Sequence, residues 1–183
     1  MARTIVRSYA SYDRAAAVVG KLEDAGLPTE DISLVARPLE AVEENAEEGA
    51  RAGTVIGSGA GLLGALMSLP IPGVGAAVAA GWLIGGTAVG AVAGAAAGSL
   101  IGALTGAGVD EGDADVLAET IRRGGAVVAV RAADHQAAQA SAIMAGGGPV
   151  DVAALRSRYQ AEGWTGFDER AEARRDDLSG VVS

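Results

Sequence analysis

Between residues 52 and 109 the chain has 58 consecutive residues without a charged side chain, and within this run glycine recurs at every fourth position from Gly53 to Gly61 and again from Gly86 to Gly106. Residues four apart lie on the same face of an α-helix, so the spacing predicts a helix with one face free of side chains, a glycine zipper. Such a face lets the backbone of a second helix approach closely. We therefore expect self-association through Gly53, Gly57, Gly61, Gly86, Gly90, Gly94, Gly98, Gly102 and Gly106.

The composition narrows the class of partner. Apolar residues make up 50% of the chain but aromatic residues only 3%, and the net charge is -9. Acidic residues are in excess on both sides of the uncharged run, which argues against nucleic acid as a partner. There is no cysteine, which excludes disulfides, thiolate metal sites and cysteine nucleophiles. The first strand pattern begins at Arg3, which leaves no room for a signal peptide, so we expect a cytoplasmic protein.

The flanks of the uncharged run alternate between strand and helix patterns. Strands are predicted over residues 3–9, 32–36 and 126–130, with a short edge strand at 149–152. Helices are predicted over residues 13–25, 134–144 and 151–161, and another one capped by Asp113 and stopped by Gly124. This order predicts an α+β fold, a split ferredoxin-like α/β sandwich with an inserted Gly/Ala-rich helical hairpin. Its parts are the first half of the α/β domain (1–51), the hairpin (52–109), the second half (110–167) and a charged tail (168–183).

Within the hairpin, a turn at residues 70–73 separates two antiparallel helices. The second helix, from about residue 74 to 109, would be about 50 Å long if unbroken, whereas a bilayer core is ~30 Å thick. Length and lack of charge thus favour membrane insertion. The many Gly and Ala residues and the acidic flanks disfavour it.

Two functional interpretations follow. The sequence favours hairpins that pack together at or in the cytoplasmic membrane. The alternative is a soluble homo-oligomer, such as a ring, shell or filament, with the hairpins buried inside. A pore is disfavoured because the hairpin has few polar residues to line a channel.

Other motifs do not point to chemistry. Gly59, Gly61 and Gly64 match G-x-G-x-x-G, but no acidic residue occurs between Gly64 and Asp110, whereas a dinucleotide site needs one about 20 positions after the motif. The acidic group Asp110, Glu111, Asp113 and Asp115 lacks the spacing of an EF-hand loop and is expected to cap and stabilise the following helix. We expect no enzymatic activity, catalytic residue, cofactor, metal site or small-molecule substrate.

The single histidine and four of the aromatic residues, Trp82, Tyr159, Trp164 and Phe167, also fit structural positions. His135 is the sole histidine and is expected at the surface, since one imidazole without a nearby nucleophile makes no catalytic triad. Trp82 fits either an interface anchor or a core position. Tyr159, Trp164 and Phe167 are expected to cover the sandwich rather than to bind a ligand.

Several segments in order resemble one protein family. They are AGLPTEDISLVAR, IPGVGAAVAAG, GAVAGAAAGSLIGALTGAGV and RRGGAVVAVRA, with EGWTGFD near the end. The first four together resemble bacterial general stress proteins of the 17M type, or heat-induced stress proteins of the YflT type, over about residues 3–132, and EGWTGFD at 162–168 is similar to a tail of some relatives. The resemblance implies a cytoplasmic α/β domain interrupted by a Gly-rich hairpin, an association with the stress response, frequent prediction as membrane proteins and no established enzymatic activity.

Overall fold

The computed structural model describes residues 2–37, 67–71, 75–85 and 100–168. Within these ranges strands and helices are mixed, which confirms the predicted α+β class. The strands are β1 (Ala2–Tyr9), β2 (Ile32–Ala36), β3 (Met67–Ile71), β4 (Gly75–Gly81) and β5 (Ala126–Ala133). The helices are α1 (Tyr12–Asp24), α2 (Trp82–Gly85), α3 (Leu100–Gly106), α4 (Glu111–Arg122), α5 (Asp134–Gly146) and α6 (Val152–Ala161), with a 3₁₀ turn at Thr29–Asp31.

The strands form one five-stranded sheet in the order β1-β5-β2-β4-β3, and every neighbouring pair is antiparallel. Because β5 is antiparallel to both β1 and β2, these two strands are parallel to each other, and α1 connects them. The centre of the sheet therefore combines segments that are distant in sequence.

Helices cover both faces of the sheet. Val128 and Val130 of β5 belong to a core with residues of α1 and α5. Val127 and Ala129, which alternate with them, belong to a second core with residues of α2, α3 and α4. Successive strand residues point to opposite faces. A strand buried on both faces needs a continuous apolar run, which explains the sequence AVVAV.

Side-chain caps start three of the helices. Ser11 Oγ accepts a hydrogen bond from the Arg14 amide at the start of α1, and Asp151 Oδ1 accepts one from the Ala154 amide at the start of α6. The cap of α4 is Asp110, whose Oδ1 accepts from the Gly112 amide at 3.0 Å. The prediction that Asp113 caps this helix was wrong, because α4 begins earlier and places Asp113 in the first turn.

The structure also corrects the predicted helical hairpin. Residues 67–71 and 75–81 are strands, so the first predicted helix does not extend through residues 67–69 and the second does not begin at residue 74. The chain does reverse between them, since Ile71 pairs with Gly75. The physical reason is tertiary: β4 pairs with β2 from Ser33 to Ala36, which gives the backbone a sheet partner instead of a helical one. Pro70 lies in β3, an edge strand, where a missing amide is tolerated.

The predicted edge strand over residues 149–152 is reduced to a single bridge. Val150 pairs with Ser8 of β1, and the chain then turns into α6 at Val152. The predicted strand is cut short because Asp151 caps a helix at that point.

Candidate self-association surface

Helix α3 carries the part of the predicted glycine zipper that the structure describes. Leu100, Ala103 and Leu104 of this helix are buried against the sheet. Gly106 is exposed and Gly102 is half-buried. At 100° per residue these two glycines lie on the side of the helix away from the buried residues, so α3 presents Gly102 and Gly106 outward.

The other seven residues of the predicted zipper lie outside the described residues: Gly53, Gly57, Gly61, Gly86, Gly90, Gly94 and Gly98. The G-x-G-x-x-G match at Gly59, Gly61 and Gly64 lies outside them as well. The zipper can therefore be placed only at its last two glycines.

The two helices that flank residues 86–99 are both anchored on the sheet. Trp82 at the start of α2 is buried, and its Nε1 donates to the Asp31 carbonyl at 3.1 Å. The Arg131 guanidinium lies over the Trp82 ring, 4.7 Å from its centroid. Helix α2 also contacts α3. Of the two roles open for Trp82, the structure supports packing in the core.

The acidic group that precedes α4 is engaged within the chain. Asp110 caps the helix, and Asp113 Oδ1 accepts a hydrogen bond from Arg156 Nη2 of α6 at 2.6 Å. Burial raises the pKa of Asp115, and the neighbouring Glu111 carboxylate acts in the same direction. In the described ranges no group of three or more His, Asp or Glu side chains is arranged to hold a metal ion. His135 is exposed at the start of α5, as predicted.

The three C-terminal aromatic residues pack against the domain as predicted. Tyr159 is fully buried, and its ring meets that of Trp164 edge-on with centroids 5.9 Å apart. Burial raises the pKa of Tyr159 to about 12, although the Thr120 hydroxyl and Arg123 oppose this shift. Phe167 packs on the core formed with α3 and α4.

A buried ion cluster is a feature that the sequence analysis missed. Glu119 is 1% exposed, and its carboxylate accepts hydrogen bonds from both Arg122 and Arg123 at the end of α4. Arg123 also pairs with Glu162, and its guanidinium lies 4.0 Å from the centroid of the Tyr159 ring. One acid followed by bases three and four residues later is a signal that could have indicated these pairs, but not their burial. The cluster joins the end of α4 to α6.

Comparisons with known families, with curated proteins and with solved structures gave no match. Within the part of the chain that the structure describes, no helix combines the length and the apolar character needed to cross a membrane.

Proposed function

We propose that this chain is a non-enzymatic protein that associates with copies of itself through its glycine zipper. The observation that carries the proposal is the outward position of Gly102 and Gly106 on α3, whose opposite side is buried in the domain. A zipper glycine directed into the domain core would already contact residues of the same chain, and a second chain could not reach it. One directed outward leaves a backbone surface that a second helix can approach.

The sequence allows two settings for this association. The zippers could pack together in the membrane, or they could pack together inside a soluble assembly. The anchored helices α2 and α3 bear on the choice, because they contact each other and only residues 86–99 connect them. This connection is shorter than the ~20 residues that one membrane-spanning helix requires. The uncharged residues 52–66 are likewise fewer than ~20. We therefore favour packing of the zippers against one another in a soluble homo-oligomer over insertion into lipid.

We also infer a ferredoxin-like arrangement for the α/β part. The support is that β5 lies between the parallel strands β1 and β2, that α1 connects those strands, and that α5 follows β5. The bridge between Ser8 and Val150 occupies the position of a fourth strand beside β1. Membership of the general stress protein family and a role in the stress response rest on the sequence resemblance alone.

Sedimentation velocity of the purified chain, without detergent, tests the proposal. Leucine at Gly94 and Gly98, or at Gly102 and Gly106, would fill the groove and hold approaching backbones apart, so we expect the particle mass to fall. The matched control is Gly20→Leu on α1, where an added side chain would start in open space. This control should keep the mass of the unmodified protein.

An unchanged particle mass in both double variants would refute self-association through the zipper. Centrifugation of the lysate at high speed distinguishes the two settings. Particles of uniform mass in the supernatant support the soluble assembly. If the chain instead pellets with membranes, and Ala95→Lys lowers the pelleted fraction while the flanks stay protease-resistant, the membrane setting is correct.

A further inference from the structure

Strand β1 has one edge paired with β5, and on its other edge the described residues form a single bridge. All its residues from Ala2 to Tyr9 are in register with β5 on one side. On the other side, the Ser8 carbonyl accepts from the Val150 amide at 2.8 Å, and Ser8 Oγ donates to the Val150 carbonyl. Because α6 then begins at Val152, the chain does not continue along β1.

The backbone of this open edge can accept another strand. In an antiparallel pair, alternate residues direct their amide and carbonyl groups toward and away from the partner strand. Since the Ser8 carbonyl points away from β5, the same groups of Thr4 and Val6 do so too. Among the described residues, none forms a hydrogen bond with these outward groups of Thr4 and Val6.

A cleft lies beside this edge on each face of the sheet, and Thr4 lines both. One cleft, of about 250 Å³, is lined by Val6, Leu117 and Val152 together with the acidic residues Asp110 and Asp113. The other, of about 640 Å³, lies between β1 and α5. Side chains of an added strand would point alternately into the two clefts, because successive residues of a strand face opposite sides.

The acidic side chains beside the open edge of β1 indicate the charge of the strand that would bind there. The smaller cleft holds two aspartates beside an apolar wall; Asp113 already pairs with Arg156, so the preference for a basic side chain rests on Asp110. The larger cleft includes Asp134, which is 63% exposed and 3.9 Å from Arg3 Nε. Lysine and arginine side chains suit such a cleft, since their stems pack on apolar surface while the charge reaches a carboxylate. A second copy paired about Thr4 would instead bring its own Asp110 and Asp113 toward the first pair, in a chain of net charge -9.

We propose that the open edge of β1 binds an extended cationic polypeptide segment, which adds to the sheet as a sixth strand. Main-chain hydrogen bonds to Thr4 and Val6 supply the pairing, and the acidic cleft supplies the preference for basic side chains. This binding surface is separate from the zipper on α3, so it does not depend on the proposed self-association.

A fluorescein-labelled seven-residue peptide of alternating valine and lysine, titrated with the full chain and followed by fluorescence anisotropy, tests this proposal. Thr4→Pro removes an outward amide without breaking a bond to β5, and a proline at such a position is compatible with an edge strand. We expect it to weaken binding at least tenfold. Thr4→Val, which keeps the amide, should bind within twofold of the unmodified protein. Asp110→Asn, which keeps a capping side chain, should weaken binding about threefold or more.

Two further peptides keep the test decisive if Thr4→Pro folds poorly. A peptide with an N-methyl group on every residue has no amide to donate along either edge, and one with glutamate in place of lysine carries the wrong charge. Both should bind at least tenfold more weakly than the valine-lysine peptide. The proposal is overturned if the N-methylated peptide binds as well as the valine-lysine peptide, or if no peptide binds at about 1 mM, a concentration that detects weak complexes. It is also overturned if a folded Thr4→Pro variant still binds the peptide but no longer forms a dimer, which would make the edge a contact between two copies of the chain.

Discussion

Replacing Glu119 by glutamine is expected to destabilise the fold strongly. The Glu119 side chain is 1% exposed, and it accepts hydrogen bonds from Arg122 Nε at 2.7 Å and from Arg123 Nε at 2.5 Å. Both arginines are nearly buried as well. The substitution removes the negative charge that faces two positive ones, while the side chain keeps its size.

The magnitude follows from the cost of breaking a buried ion pair by removing one partner, about 3–5 kcal/mol. Glutamine retains an acceptor oxygen and Arg123 retains its contact with Glu162, so we expect a loss of about 3 kcal/mol. For a chain of this size such a loss lowers Tm by roughly 6–12 °C.

Urea denaturation followed by circular dichroism, at one fixed protein concentration, measures the effect. Asp113→Asn is the matched control, because Asp113 forms a similarly short ion pair with Arg156 but the two side chains are 46% and 36% exposed. An exposed pair contributes less than about 1 kcal/mol. If Glu119→Gln costs no more than Asp113→Asn, the buried cluster does not stabilise the fold as argued.

Three further predictions concern backbone fit, ionisation and capping. Gly81 has a φ of +94°, and a Cβ there would lie 2.2 Å from the Ile32 carbonyl oxygen, so Gly81→Ala should lower the free energy of unfolding by about 2 kcal/mol or more. In the control Gly20→Ala, the added methyl group meets open space on helix α1 and should raise the free energy of unfolding by about 0.5–1 kcal/mol. Equal effects of the two substitutions would contradict this reasoning. Because the folded-state pKa of Tyr159 is raised to about 12 from 10.0, the stability that its neutral form contributes is complete below pH 10 and is lost as the pH rises toward 12. Urea denaturation midpoints should therefore fall across this pH range, and they should fall less in the Tyr159→Phe variant. The same pH dependence in both proteins would contradict this linkage. Asp151→Ala should cost about 1 kcal/mol through loss of the α6 cap, whereas Asp151→Asn should cost little, as thermal melts would show.

Much of the α/β part could be predicted because its signals are local. Strand β2 was predicted with the bounds that it has, and α6 begins one residue after the predicted start, at its Asp151 cap. A capping side chain, a glycine at the helix end and an apolar period each act over a few residues, so they can be read without knowing what the segment packs against. Helical periodicity likewise places Gly102 and Gly106 on one helix face, but only the burial of Leu100, Ala103 and Leu104 shows that this face points away from the sheet.

The remaining features depend on partners distant in sequence. The Gly, Ala and Val residues of β4 are compatible with either a helix or a strand. They form a strand because they pair with the edge of β2. Likewise, the sequence places two bases within one helical turn of Glu119, but only the packing of α4 against α6 buries them beside Tyr159. Local patterns thus indicate many of the helix and strand bounds in the α/β part, whereas the strands over residues 67–81, edge pairing and burial require contact between remote segments and are decided by the tertiary structure.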